Sequence, residues 1–169
     1  MTLELKNTGI HIGASESSQK ESSQKASQSL VCILGLNVLE DLDLALHVAD
    51  ELKAVTAELN LPFIFMASFD KANRSALQNY RGPGLEKGLE ILAAVKKAHN
   101  IPIATDIHEA AQAVAVAEIA DVLQIPAFLC RQTDLVVAAA RAVATTGGWL
   151  HVKKAQFLAA WDTKNIIDK

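Results

Sequence analysis

The residues best suited to chemistry lie in two short polar segments, 68–75 and 80–84, which come after the apolar run 61–67. Their sequences are SFDKANRS and YRGPG, and they carry three positive charges on Lys71, Arg74 and Arg81. Ammonium and guanidinium groups bind anions, phosphates above all, through charge-assisted hydrogen bonds. In α/β proteins, ligands bind at the carboxyl ends of buried parallel strands. The two segments therefore predict an anion-binding site at the end of a strand.

Two further cations, Arg131 and Lys153, also lie at or just past the ends of predicted strands. Any one of these Lys and Arg residues could be an ordinary solvated charge, but their equivalent places favour a shared anion site. The formal net charge of the whole chain is -3, and its sequence has no run rich in Lys and Arg. Such a chain has no general affinity for nucleic acid or for an anionic membrane. The pattern predicts a small phosphorylated ligand.

Asp106 and His108 are two residues apart at the end of another predicted strand. Side chains at that spacing lie on the same face of a strand, so both can reach one site. A plain hydrogen-bonded pair is an equally good interpretation from these residues alone. Two residues are too few to hold a metal ion.

Apolar runs alternate with helical patterns from residue 30 onward. We predict strands at 30–36, 63–69, 101–106, 121–126 and 149–153, and helices at 41–60, 85–99, 109–118 and 132–146. Continuous apolar runs joined by crossovers of a dozen or more residues are typical of parallel strands covered by helices. The predicted fold class is therefore α/β with about five βα units. Periodicity alone allows either an open doubly wound sheet or part of a (β/α)8 barrel.

The N-terminal segment differs from the rest in composition. Residues 1–13 alternate loosely and predict a short hairpin, whereas 14–29 consist almost wholly of Ser, Gln, Lys and Glu. Within this segment the sequence ESSQK occurs twice in tandem, at 16–20 and 21–25. A segment with so little apolar surface cannot offset the entropy of its own ordering. We interpret 14–29 as a low-complexity Ser/Gln/Lys insertion at the surface.

The cysteines and the lengths of the apolar runs indicate the cellular compartment of the protein. Cys32 and Cys130 lie inside apolar runs without CxxC spacing, so we expect buried free thiols. No apolar run reaches the ~18 residues needed to cross a bilayer, and the first residues lack the pattern of a signal peptide. These features predict a cytoplasmic protein that does not bind membranes.

Several sequence runs together carry a resemblance to a known family. They are KANRS at 71–75, NVLE at 37–40, TDIHE at 105–109, IPAFL at 125–129 and RQTDL at 131–135. From about residue 30 to residue 169, the chain resembles the metal-independent group of the 3-deoxy-D-manno-octulosonate 8-phosphate synthases, also called 2-dehydro-3-deoxyphosphooctonate aldolases. A sibling family that uses erythrose 4-phosphate typically carries a Lys-Pro-Arg run in place of KANRS.

The resemblance implies a (β/α)8 TIM barrel, of which residues 30–169 would form an incomplete part. A complete barrel needs ~200 to 250 residues, so the chain looks truncated after the fifth barrel strand. A sheet that does not close would leave two exposed edges. Two interpretations stay open: a fragment of an enzyme, or a truncated, non-catalytic paralogue that docks onto a full-length subunit.

The resemblance also implies a reaction. In the resembled family, phosphoenolpyruvate condenses with D-arabinose 5-phosphate and water to give 3-deoxy-D-manno-octulosonate 8-phosphate and phosphate, in lipopolysaccharide biosynthesis. No cofactor is implied, and homotetramers are usual. The implied catalytic residues are Asn37, Lys71, Asp106 and His108, and the implied substrate-binding residues are Asn73, Arg74, Ser75, Gln124, Ala127, Arg131, Lys153 and Gln156. The erythrose 4-phosphate synthase is a second alternative.

Two positions refine this expectation. Members of the resembled family with Cys at the place of Asn37 bind a metal, and those with Asn work without one, so we expect no metal here. Met66 stands where the family usually has Lys, so one cation of the implied site is replaced by an apolar side chain. We expect weaker binding of phosphate or carboxylate as a result.

Overall fold

The computed structural model of the chain describes residues 3–5, 8–12 and 30–169. The strands are β1 Leu3–Leu5, β2 Ile10–Ile12, β3 Cys32–Val38, β4 Phe63–Ser68, β5 Ile103–Asp106, β6 Val122–Ile125 and β7 Trp149–Val152. The α-helices are α1 Leu42–Glu58, α2 Leu85–His99, α3 Ala113–Ile119, α4 Thr133–Thr146 and α5 Thr163–Ile167. The insertion predicted at 14–29 lies outside the described residues. None of the helices in the described ranges is long and apolar enough to span a bilayer.

Strands β3 to β7 form one parallel sheet in their sequence order, with a helix in each connection. This arrangement confirms the predicted α/β fold and agrees with part of a TIM barrel. Strands β1 and β2 form a separate antiparallel pair, as predicted for the N-terminal hairpin. Because all strands of the larger sheet run the same way, their carboxyl ends lie along one edge.

Most predicted element boundaries lie within two residues of the observed ones, and two regions differ by more. The helix predicted at 109–118 begins as a 3-10 turn, Ala110–Gln112, before α3. The side chains of Glu109 and Gln112 form a capping box there, and the tighter turn satisfies amide groups at the helix start. Helix α5 lies beyond the predicted elements.

The helix-facing side of the sheet holds the larger core. Phe65, Leu123 and Ile125 are fully buried there, together with Leu92 of α2 and Val116 of α3. Side chains alternate between the two faces of a strand, so the neighbouring residues point to the opposite side. Burial on both faces explains why the strand sequences are apolar without alternation.

The opposite side of the sheet is covered in part by the N-terminal hairpin. Leu5 and Ile10 pack against Ile64, Ala104 and Val122 in a second core. The Trp149 indole also donates a hydrogen bond from Nε1 to the Glu4 carbonyl oxygen, at 3.2 Å. The hairpin therefore covers the inner face near the amino ends of the strands, at the end away from the polar segments.

The first and last strands of the sheet differ from the central ones in burial. Strands β5 and β6 are buried at every position, whereas Ile33 and Leu34 of β3 are each 40% exposed. Within the described residues, β3 pairs only with β4, and β7 pairs only with β6. In the part of the chain that the structure describes, the sheet therefore has an unpaired edge at β3 and another at β7, as predicted.

Asp121 connects three strands and a helix near the amino ends of the strands. Its carboxylate accepts hydrogen bonds from Lys96 Nζ of α2 at 3.0 Å and from the Ile103 amide of β5 at 2.9 Å. Its own amide donates to the Ile103 carbonyl, and its carbonyl accepts from the Trp149 amide of β7, each at 2.8 Å. One side chain thus fixes β5 and α2 against β6.

We predict that Asp121→Ala lowers the free energy of unfolding by about 1 to 3 kcal/mol, because the Ile103 amide loses the carboxylate that accepts its hydrogen bond and the Lys96 ammonium keeps only the Ile119 carbonyl oxygen. Urea denaturation followed by circular dichroism measures this. Glu51→Ala, at an exposed position of α1, is the matched control and should change stability by less than about 0.5 kcal/mol. Equal stability of the two variants would contradict the structural role of Asp121.

Candidate active site

A cavity of about 470 Å³ opens at the carboxyl ends of the parallel strands. Most of the residues predicted to form a site contribute to its wall: Asn37, Lys71, Asn73, Asp106, His108, Gln124, Ala127, Lys153 and Gln156. They come from β3, β4, β5, β6 and β7 or from the segments that follow these strands. Residues far apart in the sequence are brought together because every strand ends at the same edge of the sheet.

Three of the predicted residues do not line this cavity. Arg74 lies beside it and donates a hydrogen bond from Nε to the Tyr80 carbonyl oxygen at 3.0 Å. Ser75 is exposed on the same segment. Arg131 is also exposed and lines a different cavity, where its carbonyl oxygen accepts a hydrogen bond from Lys169.

The segment after β4 folds back on the strand that it leaves. The Lys71 amide donates to the Arg81 carbonyl at 2.7 Å, and the Gly84 amide donates to the Phe69 carbonyl at 3.1 Å. Gly82 has a φ of +119°, and a Cβ atom there would lie 2.4 Å from the Phe69 carbonyl oxygen. Only glycine fits this approach, which holds the two polar segments side by side.

Arg81 is neutralised rather than free. Its Nε donates to Asp70 Oδ1 at 2.8 Å, and its second nitrogen contacts Asp70 Oδ2, which makes a bidentate ion pair. From the sequence we predicted that Arg81 would be one of the anion-binding cations, but in the structure its guanidinium group forms an ion pair with the carboxylate of Asp70. Among the described residues that line the cavity, the Lys and Arg side chains are those of Lys71 and Lys153.

The polar groups of the cavity form a short chain across two strands. Lys71 Nζ donates to Ser68 Oγ at 2.8 Å. Asp106 Oδ2 lies 3.5 Å from His108 Nε2, and both of these side chains are more than 90% buried. The His108 ring also meets the Phe69 ring edge-on, with centroids 6.3 Å apart. The prediction that Asp106 and His108 reach one site agrees with this geometry.

Ser68 is the first residue of the polar segment 68–75, but no role of its own was predicted for it. It is fully buried at the last position of β4 and lines the cavity. The only available signal was a hydroxyl residue directly after an apolar run, which also fits a solvated strand end. Its contact with Lys71 depends on the path of the following segment, which the sequence pattern does not specify.

Burial and neighbouring charges change the pKa values of Asp106 and Lys71. Although burial of Asp106 acts to raise its pKa, hydrogen bonds from His108 and Ser68 and the charge of Lys71 lower it below the ordinary value. Burial lowers the pKa of Lys71, the negative charge of Asp106 partly offsets this, and the charges of Lys153 and Arg74 lower it further. Asp106 is therefore an anion at neutral pH, and Lys71 loses its proton more readily than an ordinary lysine.

Some polar atoms at the site are still available to a ligand. Asp106 Oδ1 and His108 Nδ1 are buried and have no hydrogen-bond partner among the described residues. A buried polar atom without a partner costs free energy, and a bound polar ligand or water relieves that cost. Among the described residues, no group of three or more His, Cys, Asp or Glu side chains is arranged to hold a metal ion.

The family described as DAHP synthetase I matches residues 12–169, which is most of the sequence. The chain belongs to the DAHP synthetase I family. Curated relatives of the chain are proteins named 2-dehydro-3-deoxyphosphooctonate aldolase. The resemblance stated from the sequence runs is therefore confirmed.

Three of these relatives show the extent of the similarity. The protein from Pseudoalteromonas translucida is 56% identical over 135 residues, which are 80% of this chain and 46% of the relative. The protein from Pseudomonas fluorescens is 54% identical over 140 residues, 83% of this chain and 48% of the relative. The protein from Colwellia psychrerythraea is 54% identical over 142 residues, 84% of this chain and 49% of the relative. The chain spans about half the length of the curated relatives it matches.

We predict that the affinity of the cavity for inorganic phosphate falls on the alkaline side of neutrality, at a pH below 10.5, the ordinary pKa of lysine. The sign follows from the lowered pKa of Lys71, because the positive charge that binds the anion is lost as the pH rises through that value. Loss of one charge-assisted contact weakens binding by about ten- to a hundredfold. Isothermal titration calorimetry between about pH 8 and pH 10, where phosphate stays a dianion, measures it.

Lys71→Met is the control for this measurement. It should bind phosphate more weakly at pH 8 and show a smaller loss between pH 8 and pH 10, because the titrating ammonium is absent. A variant with the same pH dependence as the original chain would show that Lys71 does not contact the anion.

Proposed function

We propose that the cavity is part of the active site of a synthase that forms 3-deoxy-D-manno-octulosonate 8-phosphate. The substrates would be phosphoenolpyruvate, D-arabinose 5-phosphate and water, and the second product would be phosphate. The observation that carries the proposal is the placement of Lys71, Asp106, His108 and Lys153 around one cavity. The chain is 51–56% identical to proteins named 2-dehydro-3-deoxyphosphooctonate aldolase. The product is a sugar of lipopolysaccharide biosynthesis.

The proposed reaction places two phosphorylated molecules close together, so the site must reduce their mutual repulsion. Lys71 follows β4 and Lys153 follows β7, so two cations approach the cavity from separate strands. The Lys153 amide donates to the Ile125 carbonyl at 3.0 Å, which fixes its backbone against β6. Ammonium groups held in place at the mouth of a buried site stabilise anions without reorganisation during the reaction. Lys71 would bind phosphoenolpyruvate and polarise the incoming aldehyde.

The phosphate of the pentose would bind at the rim. Asn73 lines the cavity there, with Arg74 and Ser75 directly after it. Arg74 donates from Nε to the Tyr80 carbonyl oxygen, which leaves the N–H groups of its two terminal nitrogens as donors for a phosphate. Gln124, Ala127 and Gln156 line the same cavity as Asn73 and Lys153 and would contribute to substrate binding.

The buried pair of Asp106 and His108 would orient the pentose or the water. Each side chain has a buried polar atom without a partner among the described residues, Oδ1 of Asp106 and Nδ1 of His108. Asp106 accepts hydrogen bonds as a carboxylate, and His108 can donate or accept through the ring nitrogen that does not face Asp106. Hydroxyl groups of a bound ligand or water molecules at these two atoms would satisfy them. Asn37 lines the same cavity from β3, as an amide that donates and accepts hydrogen bonds.

Met66 limits the affinity of this site. Its side chain lines the cavity on the same strand as Ser68, where the resembled family usually has Lys. A thioether offers no charge-assisted hydrogen bond to a phosphate or carboxylate. Met66 therefore removes one cation from a place that faces the proposed substrates.

We predict that Met66→Lys strengthens the binding of phosphoenolpyruvate by about ten- to a hundredfold, because it adds one charge-assisted contact in a partly desolvated cavity. Isothermal titration calorimetry at pH 7.5 measures the dissociation constant. Met66→Leu is the control, since it keeps an apolar side chain of similar volume and should not improve binding. If Met66→Lys bound no more tightly than Met66→Leu, position 66 would not contact the anion.

The proposed reaction predicts that phosphate is released from phosphoenolpyruvate only when D-arabinose 5-phosphate is present. The assay would compare this chain with a chimera in which residues 30–169 continue into the C-terminal half of the Pseudoalteromonas translucida relative. Lys71→Met in the chimera should lower kcat/KM by at least about a hundredfold, since it removes a cation from the reacting centre. A colorimetric phosphate assay measures the rate.

The outcomes of this assay separate the alternatives. Turnover with erythrose 4-phosphate in place of the pentose phosphate would favour the sibling synthase. If the chimera is folded but turns over neither aldehyde, this result would favour a non-catalytic paralogue and would overturn the proposed reaction.

A further inference from the structure

Ser68 occupies a place that connects the two charged elements of the cavity. It is the last residue of β4 and has no exposed surface. Its carbonyl oxygen accepts a hydrogen bond from the Leu39 amide at 2.9 Å, so its backbone is fixed against the segment after β3. A side chain on such a backbone has little freedom, and its hydroxyl stays at one position in the wall of the cavity.

The Ser68 hydroxyl has a partner on each side. Its oxygen accepts a hydrogen bond from Lys71 Nζ at 2.8 Å. On its other side the hydroxyl is near the Asp106 carboxylate, where hydrogen bonding from Ser68 lowers the pKa of that group. A hydroxyl can accept and donate at the same time, so one side chain serves both. Ser68 therefore lies between a cation that follows β4 and an anion at the end of β5.

The charges around Lys71 explain why such a link matters. Asp106 attracts the Lys71 ammonium, whereas Lys153 and Arg74 repel it, and burial also disfavours its charge. His108 faces Asp106 from the other side, at 3.5 Å. A flexible lysine side chain under these opposing influences gains from a neutral acceptor at hydrogen-bond distance.

We propose that Ser68 is a positioning residue, which holds the ammonium group of Lys71 at the cavity and couples its charge to that of Asp106. The role in catalysis rests on the proposed function, but the coupling is a property of the chain without substrate. Ser68 contacts two groups that the proposed reaction requires, so it acts through them.

Ser68→Ala tests the proposal, because it removes the hydroxyl with little change in volume. The pKa of Lys71 should fall by about one unit, since its charged form loses a hydrogen-bond acceptor. The probe is competitive labelling with acetic anhydride on the intact 169-residue chain without substrate, between about pH 7 and pH 10, with the modification of Lys71 measured by peptide mass spectrometry. Ser68→Thr keeps the hydroxyl and should restore most of the original titration. An unchanged pKa of Lys71 in Ser68→Ala would overturn the proposal.

Thr56→Ala is the matched control. Thr56 is buried in α1, and its hydroxyl donates to the Leu52 carbonyl at 2.7 Å, remote from the cavity. It removes a buried hydroxyl without touching the site, so the titration of Lys71 should not change. An equal shift in Thr56→Ala and Ser68→Ala would show a general loss of packing and would also overturn the proposal.

Asp106→Asn tests whether the charges of Lys71 and Asp106 are coupled through Ser68. It removes the negative charge at nearly constant volume and should also lower the pKa of Lys71. If Ser68 couples the two groups, the double variant shifts the pKa by less than the sum of the single shifts. If circular dichroism shows that Ser68→Ala does not fold, only Ser68→Thr is compared with the original chain. A pKa of Lys71 in Ser68→Thr that differs by about one unit or more from the original would then count against a role of the Ser68 hydroxyl.

A separate measurement keeps the proposed function distinguishable. Phosphoenolpyruvate should slow the acetylation of Lys71 in the original chain if the cavity binds it. Absence of protection would count against the proposed function and leave the role of Ser68 standing, because the titration needs no ligand. Protection of Lys71 by phosphoenolpyruvate, together with an unchanged titration of Lys71 in Ser68→Ala, would support the proposed function and overturn the role of Ser68.

Discussion

Parallel backbone pairing from β3 to β7 is the constraint on which the site depends. Residues at the ends of β4, β5, β6 and β7 are separated by tens of positions in the sequence, yet the pairing brings their carboxyl ends to one edge. The order of the strands in the sheet is the order of the chain, so each new βα unit adds further wall residues beside those of the previous unit. Helices on one side and the hairpin on the other bury the strands that carry these residues. The side chains at the mouth can be polar because the interior below them is apolar.

The charge balance at this edge is set by a few short contacts rather than by the net charge of the protein. Asp70 neutralises Arg81, and Asp106 is the carboxylate that faces Lys71. With Lys153 and Arg74 also near Lys71, the cavity holds more positive than negative charge although the chain is acidic overall. A local excess of cations in a partly buried place favours anions over neutral ligands, and this effect is stronger there than at an exposed surface.

The sequence allowed the strands, the helices and most of the wall residues to be predicted, because these follow from periodicity and from the order of βα units. The parallel sheet and the contribution of Asp106, His108 and Lys153 to one cavity needed only the rule that strand ends converge. What could not be predicted depends on loops. The pairing of Arg81 with Asp70 follows from how residues 70–84 fold back.

The positions of Ser68 and Arg131 show the same limit. Ser68 became a site residue only through the path that Lys71 takes after β4, and Arg131 lies in a turn that places it at a different cavity. Sequence spacing gives the face of a strand but not the direction of an irregular segment, since several conformations of such a segment satisfy the same pattern. The 3-10 turn before α3 has a local cause, the capping box of Glu109 and Gln112, and was missed because helix boundaries are poorly specified by periodicity.

The hydrogen bond between Trp149 and Glu4 has a consequence for how the chain folds. It joins residues 145 positions apart, whereas the ties of Asp121 to Lys96 and Ile103 span 25 and 18 positions. Closing a longer loop costs more entropy before any contact compensates for it. Neighbouring βα units can therefore assemble through short loops as the chain lengthens, and the N-terminal hairpin, although it is made first, completes its contacts with the sheet only after β7 is present.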